Sequence, residues 1–265
     1  MKIGIIGGGN IGSAIVNGLA NSTSIKNSDL YISDLSQSRL QELKNRNKGI
    51  NTLLSNVELI KQTDIIILAV KPWIVESIVN EIKKHIDYKK QLIVSVAAGV
   101  DFSQLSTLFL NNKKEIPTLF RMIPNTAIAI NKGVLTLSHN NATNEQLELV
   151  KTLFNEMGDV FIVDENQLNA FMSLSSCGIA YAFRYIRAAV EGAVEMGINA
   201  EVAQKVVMQT IIGAAELLKA NSSHPEAEID KVTTPGGITI KGLNEMEAYG
   251  FTNAVIKGLK ASLIK

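Results

Sequence analysis

The stretch that most limits what this chain can become is its N-terminus, MKIGIIGGGNIGSAIVNGLAN. Lys2 to Ile6 is a short apolar strand, glycines follow at once, and Ile11, Ala14, Ile15, Gly18 and Leu19 then keep helical spacing. Between the two, Gly7, Gly9 and Gly12 form G-x-G-x-x-G. Each glycine has its own mechanical reason: a tight turn at Gly7, close approach of backbone to a pyrophosphate at Gly9, and helix–strand packing at Gly12. Asn10 and Ile11 share the turn, where a helix N-terminus favours an anion, and count as candidate cofactor contacts.

A second strand, Asp29 to Ser33, ends at Asp34, about 20 residues beyond Gly12, the spacing expected of an acid that reads an adenosine ribose. An acidic group there favours NADH by repelling a 2′-phosphate. Ser33, Ser36 and Arg39 offer that phosphate partners instead, and Asp34 also suits a helix N-cap, so the phosphate state of the cofactor stays open.

Two further apolar strands lie in DIIILAVKPW, which breaks at Lys71-Pro72, and in LIVSVAAGV, Leu92 to Val100. Helical segments sit between or after them at Leu40 to Arg46, Val57 to Gln62, Ile74 to His85 and Phe102 to Leu110. Buried strands alternating with helices indicate a doubly wound, Rossmann-like parallel sheet. Ligands in such sheets bind beyond the carboxyl ends of the strands, which places Ala69, Val70, Lys71, Pro72, Ala97, Ala98 and Gly99 in one crevice with the glycine loop. Strands are also expected at Leu119 to Met122, Gly133 to Leu137 and Val160 to Val163, so the dinucleotide-binding domain runs over residues 1–163.

Residues 164–265 read as an all-helical domain. ENQLNAFMSLSSCGIAYAFRYIRAAVEGAVEMG suits one long helix pivoting at the small cluster Ser175 to Gly178, and a second helix follows an Asn199 cap. The polar stretch Asn221 to Glu228 reads as a loop. Helices this apolar need a cover, and with few helices to cover one another the reading favours a partner subunit, which makes this a dimerisation domain.

Composition excludes several function classes. A net charge of +1 without a basic block gives nucleic-acid binding no electrostatic basis. The longest aliphatic run, Ile65 to Val70, is too short to span a bilayer, and a chain that opens on a strand pattern carries no expected leader. A single cysteine, Cys177, suits a reducing cytoplasm, and His85, His139 and His224 lack metal-ligand spacing, so no metal is expected.

A dinucleotide domain joined to helices suggests a dehydrogenase or reductase. Oxidising a hydroxy acid needs a base, and LSSCGIAYAFRYIRAAVEG carries arginines but no lysine or histidine. Reduction of a cyclic imine needs positioning more than acid–base power. TTPGGIT offers Gly236 and Gly237 as amide donors for a carboxylate and Thr239 as a hydroxyl for the ring nitrogen.

With these residues in view, the chain resembles the Δ1-pyrroline-5-carboxylate reductases over essentially its whole length. The motifs are Gly7-x-Gly9-x-x-Gly12, Ala69-Val70-Lys71-Pro72, Ala98-Gly99-Val100, Arg121 with Pro124-Asn125-Thr126, and Asp230-x-Val232 with Pro235-Gly236-Gly237-x-Thr239. The resemblance implies NADPH or NADH as cofactor, proline as product, and a homodimer built from the helical domain with room for further assembly into a decamer. It also implies that Thr239 contacts a cyclic imino acid substrate, with Val232, Pro235, Gly236 and Gly237 around it, and that Asn56 contacts the cofactor. Asn125 is a further cofactor candidate, or else a turn stabiliser.

The departures from the family pattern are Ile179 for proline in SSCGIAY, Ala127 after Pro124-Asn125-Thr126, Ile238 in the PGG loop, and Leu35 where many members place an arginine. Two other readings stay open: a reductase of the same fold acting on another cyclic imine or a hydroxy acid, and a nucleotide-binding regulatory protein without turnover.

Overall fold

In the computed structural model, which describes residues 1–263, the apolar runs of the first half become neighbours in one sheet. Its strands are β1 (Ile3–Ile6), β2 (Leu30–Ser33), β3 (Asn51–Leu53), β4 (Ile65–Leu68), β5 (Leu92–Ser95), β6 (Thr118–Pro124), β7 (Gly133–Asn140) and β8 (Gly158–Ile162). They lie in the order β3-β2-β1-β4-β5-β6-β7-β8. The chain winds one way from β1 through β2 to β3 and the other way from β4 onward. The gap between β1 and β4 is therefore the switch point at which such sheets take their ligands.

The pairs from β3 across to β6 are parallel, β7 runs antiparallel to β6, and β8 is parallel to β7. The sheet is thus the doubly wound, predominantly parallel one expected, with a single antiparallel pair at β6–β7. Residues 125–132, mostly a 3₁₀ turn over Thr126–Ile130, join β6 to β7. A parallel crossover needs a dozen residues or more, and this link is too short for one.

Alternation in the central strand explains the two-layer core. Ile65 and Ile67 pack with Ile3, Ile5 and Val94 against α1 (Asn10–Ala20), α2 (Gln37–Arg46) and α6 (Asn144–Asn155). Ile66 and Leu68 face the other way, toward α3 (Asn56–Ile60), α4 (Val75–Ile82) and α5 (Phe102–Phe109). With helices on both faces, every position of the strand is buried, and the sequence reads as an unbroken aliphatic run.

Helical backbone takes over after β8. A 3₁₀ turn (Glu165–Gln167) leads into α7 (Leu168–Phe171), a π-helical segment (Met172–Cys177) and α8 (Gly178–Glu195). The pivot expected at Ser175 to Gly178 is the end of this π segment. Next comes α9 (Ala200–Asn221), capped by the Asn199 side chain, which accepts from the amides of Glu201 and Val202. The stretch expected as a loop from Asn221 to Glu228 is a loop only at 222–224. Pro225 takes the first helical position of α10 (Pro225–Lys231), whose start is capped by His224 Nδ1 accepting from the Glu226 amide. Finally come α11 (Ile238–Ala248) and α12 (Phe251–Ala261).

The chain forms two compact units, Met1–Ser176 and Cys177–Ser262. Leu168 and Met172 bury against Ile123 of β6, which keeps the start of the helical run with the sheet, beyond the last strand. Within the second unit, Val190, Ala193 and Ala203 are the only buried hydrophobic residues among those described, and they pack with Ile186 and Val207 where α8 meets α9. Among the described residues no helix is long and apolar enough to cross a membrane, and no cluster of His, Cys, Asp and Glu could hold a metal ion.

Candidate active site

The glycine loop shows why each of its positions is glycine. Gly7 has φ +102°, and a Cβ there would sit 2.6 Å from the Ala69 carbonyl oxygen. A Cβ on Gly12 would fall 1.8 Å from the Gly7 carbonyl oxygen, so α1 packs on the loop backbone itself. At Gly9 the same atom would meet nothing within 4 Å, because this residue faces open space. The Gly7 N–H donates to Ser33 O at 2.8 Å and the Gly8 N–H to Asp34 Oδ2 at 2.7 Å. Both donors are thereby used inside the protein. The first turn of α1, with Gly9 at its N-cap, has no side-chain cap, so its amides and its positive dipole end point at whatever enters.

A cavity of about 500 Å³ opens over this loop. Gly7, Gly9, Asn10 and Ile11 form one wall, Asp34 and Arg39 another, and residues 69–72 with Ala97 and Ala98 a third. The third wall is the carboxyl end of β4 and β5, as the strand-end rule requires. An open glycine cradle, uncapped amides and small residues opposite fit the pyrophosphate and nicotinamide of a dinucleotide.

The other residues expected at the cofactor stand outside the cavity wall. Gly12 acts through packing. Ser33 is fully buried, and its hydroxyl donates to Asn56 Oδ1 at 2.7 Å, while Asn56 Nδ2 donates to Glu81 Oε2 at 2.9 Å. Gly99 makes a turn with φ +82°. Asn125 is buried: its Oδ1 accepts from the amides of Ala127 and Val134, and its Nδ2 donates to Ser175 O. Those are the bonds of a turn stabiliser. Ile74 and Val96 line the cavity without having been expected there. Val96 directly precedes Ala97 at a strand end and was within reach of the same rule.

Asp34 carries the strongest local electrostatics. Burial pushes its carboxyl up, but hydrogen bonds from the Ser36 and Gly8 amides and the Arg39 guanidinium outweigh that and hold it below the ordinary carboxylate range. It is not the cap of α2; Ser36 is, accepting from the Arg39 amide. Deeper in the same unit, Arg121 of β6 is buried and donates to Glu165 Oε1 at 2.7 Å, and the same oxygen accepts from the Phe102 amide at 2.6 Å. This pair ties β6, α5 and the start of the helical run together.

The second unit holds the TTPGGIT segment. Thr234 to Gly237 is a turn closed by the Gly237 N–H donating to Thr234 O at 2.9 Å, with Pro235 leading and Gly236 at φ +72°. A Cβ on Gly237 would lie 2.6 Å from Thr234 Oγ1. The Gly237 amide, expected as a donor to substrate, is committed to this turn. The donors that remain belong to the first turn of α11, which begins at Ile238 with Gly237 as N-cap and no side-chain cap. Thr239 lies in that turn, exposed, and its hydroxyl has no protein partner among the described residues. Val232 and Pro235 are exposed beside it.

Comparison with known proteins agrees with both halves of this description. Residues 165–265 match the family model for pyrroline-5-carboxylate reductase dimerisation, and residues 2–99 match one described as NADP oxidoreductase coenzyme F420-dependent. Pyrroline-5-carboxylate reductase 2 of Dictyostelium discoideum is 34% identical over 100% of this chain and 91% of its own length. Pyrroline-5-carboxylate reductase 1 of the same organism is 36% identical over 98% of this chain, which spans about half, 48%, of that longer protein. The crystal structure of Plasmodium falciparum pyrroline carboxylate reductase with NADP bound superposes with a TM-score of 0.89 at 28% identity, covering 99% of this chain and 95% of that one. A third of the residues identical end to end, on the same fold, means that the chain belongs to the pyrroline-5-carboxylate reductase family.

Proposed function

We propose that this chain reduces the cyclic imine of 1-pyrroline-5-carboxylate to L-proline, with NADH or NADPH as the reductant. The observation that carries the reading is the TTPGGIT turn in a chain of this family: an uncapped helix N-terminus beside a threonine hydroxyl with no protein partner. A bound nicotinamide supplies hydride to the ring carbon of the C=N bond. Gly9, Asn10 and Ile11 hold the pyrophosphate at the head of α1, and the strand ends at residues 69–72 and 97–99 seat the nicotinamide. The amides at the start of α11 hold the substrate carboxylate, an anion at a positive helix end. Thr239 hydrogen-bonds the ring nitrogen, since a hydroxyl donates to an imine and accepts from its protonated form. The protonated imine is already electrophilic, so positioning suffices without a dedicated acid.

The reading extends to assembly. The apolar faces that α8 and α9 leave exposed support a homodimer, and the family's decamer is a further step built on that dimer. The lone, half-buried Cys177, which has no second cysteine in the chain to pair with, supports a cytoplasmic location. The test is oxidation of NADH and NADPH, followed by absorbance, with 1-pyrroline-5-carboxylate near neutral pH and with proline measured as product. Proline formation is the expected result. Confirmed dinucleotide binding without any proline would overturn the reading.

A further inference from the structure

We infer that Arg39 is the residue by which this chain distinguishes NADPH from NADH, its guanidinium binding the 2′-phosphate while Asp34 holds it in place. The inference rests on the dinucleotide reading of the cavity and deepens it.

Asp34 stands where an acid would read the ribose, but its carboxylate is already full. Oδ2 accepts from the Gly8 amide at 2.7 Å and from Arg39 Nη1 at 3.1 Å; Oδ1 accepts from the Ser36 amide at 2.8 Å and from Arg39 Nη1 at 3.2 Å. Two oxygens offer about four acceptor sites, and four hydrogen bonds from three donor groups occupy them. Two of these are backbone amides fixed by the fold, one of them 26 residues away in the glycine loop. Asp34 is therefore a clamp on the loop and a holder for Arg39, with no acceptor site left for a ribose hydroxyl.

Arg39 is the open partner. Its side chain is 48% exposed, against 10% for Asp34, and it lines the cavity. Only Nη1 is engaged; Nε and Nη2 have no protein acceptor among the described residues. The stem crosses the loop so closely that a Cβ on Gly8 would lie 3.1 Å from Arg39 Cδ. A guanidinium fixed at one nitrogen and open at the other two matches a phosphate, which it can bind with two parallel bonds. The Ser36 and Ser38 hydroxyls, 3.0 Å apart at the head of α2, add short polar groups to the same corner.

Direct binding separates the possibilities without any turnover. Wild type, Arg39→Ala and Arg39→Lys are titrated calorimetrically with NADPH, NADH, adenosine 2′,5′-bisphosphate and 5′-AMP. In Arg39→Ala the Kd for NADPH is expected to rise about 10- to 100-fold, the loss of a charge-assisted pair, while that for NADH changes by less than about threefold. The bisphosphate should follow NADPH, 5′-AMP should follow NADH, and Arg39→Lys should fall between wild type and alanine. Equal weakening of all four ligands would overturn the inference, because Arg39 would then only support the loop; unchanged NADPH binding would overturn it as well. A wild type that binds neither dinucleotide would instead remove the cofactor reading on which the inference stands.

Discussion

Ile67 and Val206 are both aliphatic residues inside regular structure, yet Ile67 is wholly buried and Val206 is 58% exposed. The contrast runs through the two units. In the first, helices cover both faces of the sheet, and each strand position finds a layer to pack against. In the second, α8 and α9 bury one stripe against each other, leaving Phe183, Met196, Val206, Ile212 and Leu217 in the open. A two-faced sheet closes its own core, whereas a helix pair satisfies one stripe of each helix and exposes the rest. The first unit is thus stabilised by its own packing, and the second presents a surface of the kind that a second copy of the chain covers.

Truncation in the sheet is the largest way to sharpen this contrast. Ile67→Ala removes a side chain packed on every side and should destabilise the protein by about 2 to 5 kcal/mol. Denaturant unfolding checks it, with the loss expected at every protein concentration. Equal stability to wild type would mean that the two-layer core is not what holds the first unit. Val206→Asp probes the other side of the comparison. On the proposed dimer it should weaken association by about 2 kcal/mol, roughly 30-fold in the dimer dissociation constant. Sedimentation against concentration reads this, and an unshifted dimer would place the interface on another face of these helices. Thr239→Ala tests the chemistry of the second unit. An exposed hydroxyl in the first turn of a helix contributes little to folding, so the variant should keep its thermal midpoint while kcat/KM with the imine falls about 10- to 100-fold. Wild-type rates in the folded variant would remove Thr239 from the mechanism.

The same contrast decides how much the sequence discloses. Ile65 to Leu68 reads as a strand buried on both faces because burial on both faces leaves every position aliphatic, and the glycine loop is legible because each glycine answers a local steric demand. Asn51–Leu53 is not: a three-residue edge strand with polar side chains carries no apolar run. The reversed β7 was hidden for a different reason, since direction depends on the length of a link rather than on the strand's own pattern. The partners of Asp34 and Arg121 were beyond local reading as well. Asp34 meets an amide 26 positions away and Arg121 a carboxylate 44 positions away, and only the assembled fold brings them together. At the TTPGGIT turn, spacing pointed to donors but not to which amide the turn itself consumes. The Gly237 amide closes the turn, and that is a matter of backbone geometry.

The smallest effect falls in the first unit and turns on pH. Asp34 is held below its ordinary range because the fold binds its charged form through Ser36, Gly8 and Arg39 despite partial burial. A carboxyl depressed in the folded state contributes stability that is fully present above its unfolded value of about 3.9, and that contribution is lost as pH falls through the lower folded value. Asp34→Asn keeps the shape of the side chain but removes the titrating charge. Unfolding free energy measured from pH 6 downward should therefore decline less steeply below about pH 4 in the variant than in wild type, with the two curves running parallel above it. Val206→Asp, by contrast, should shift stability through association, so its effect should vary with protein concentration. A wild type and an Asp34→Asn variant with the same acid slope would show that the carboxylate does not clamp the loop, and the stability of the first unit would then rest on its apolar layers alone.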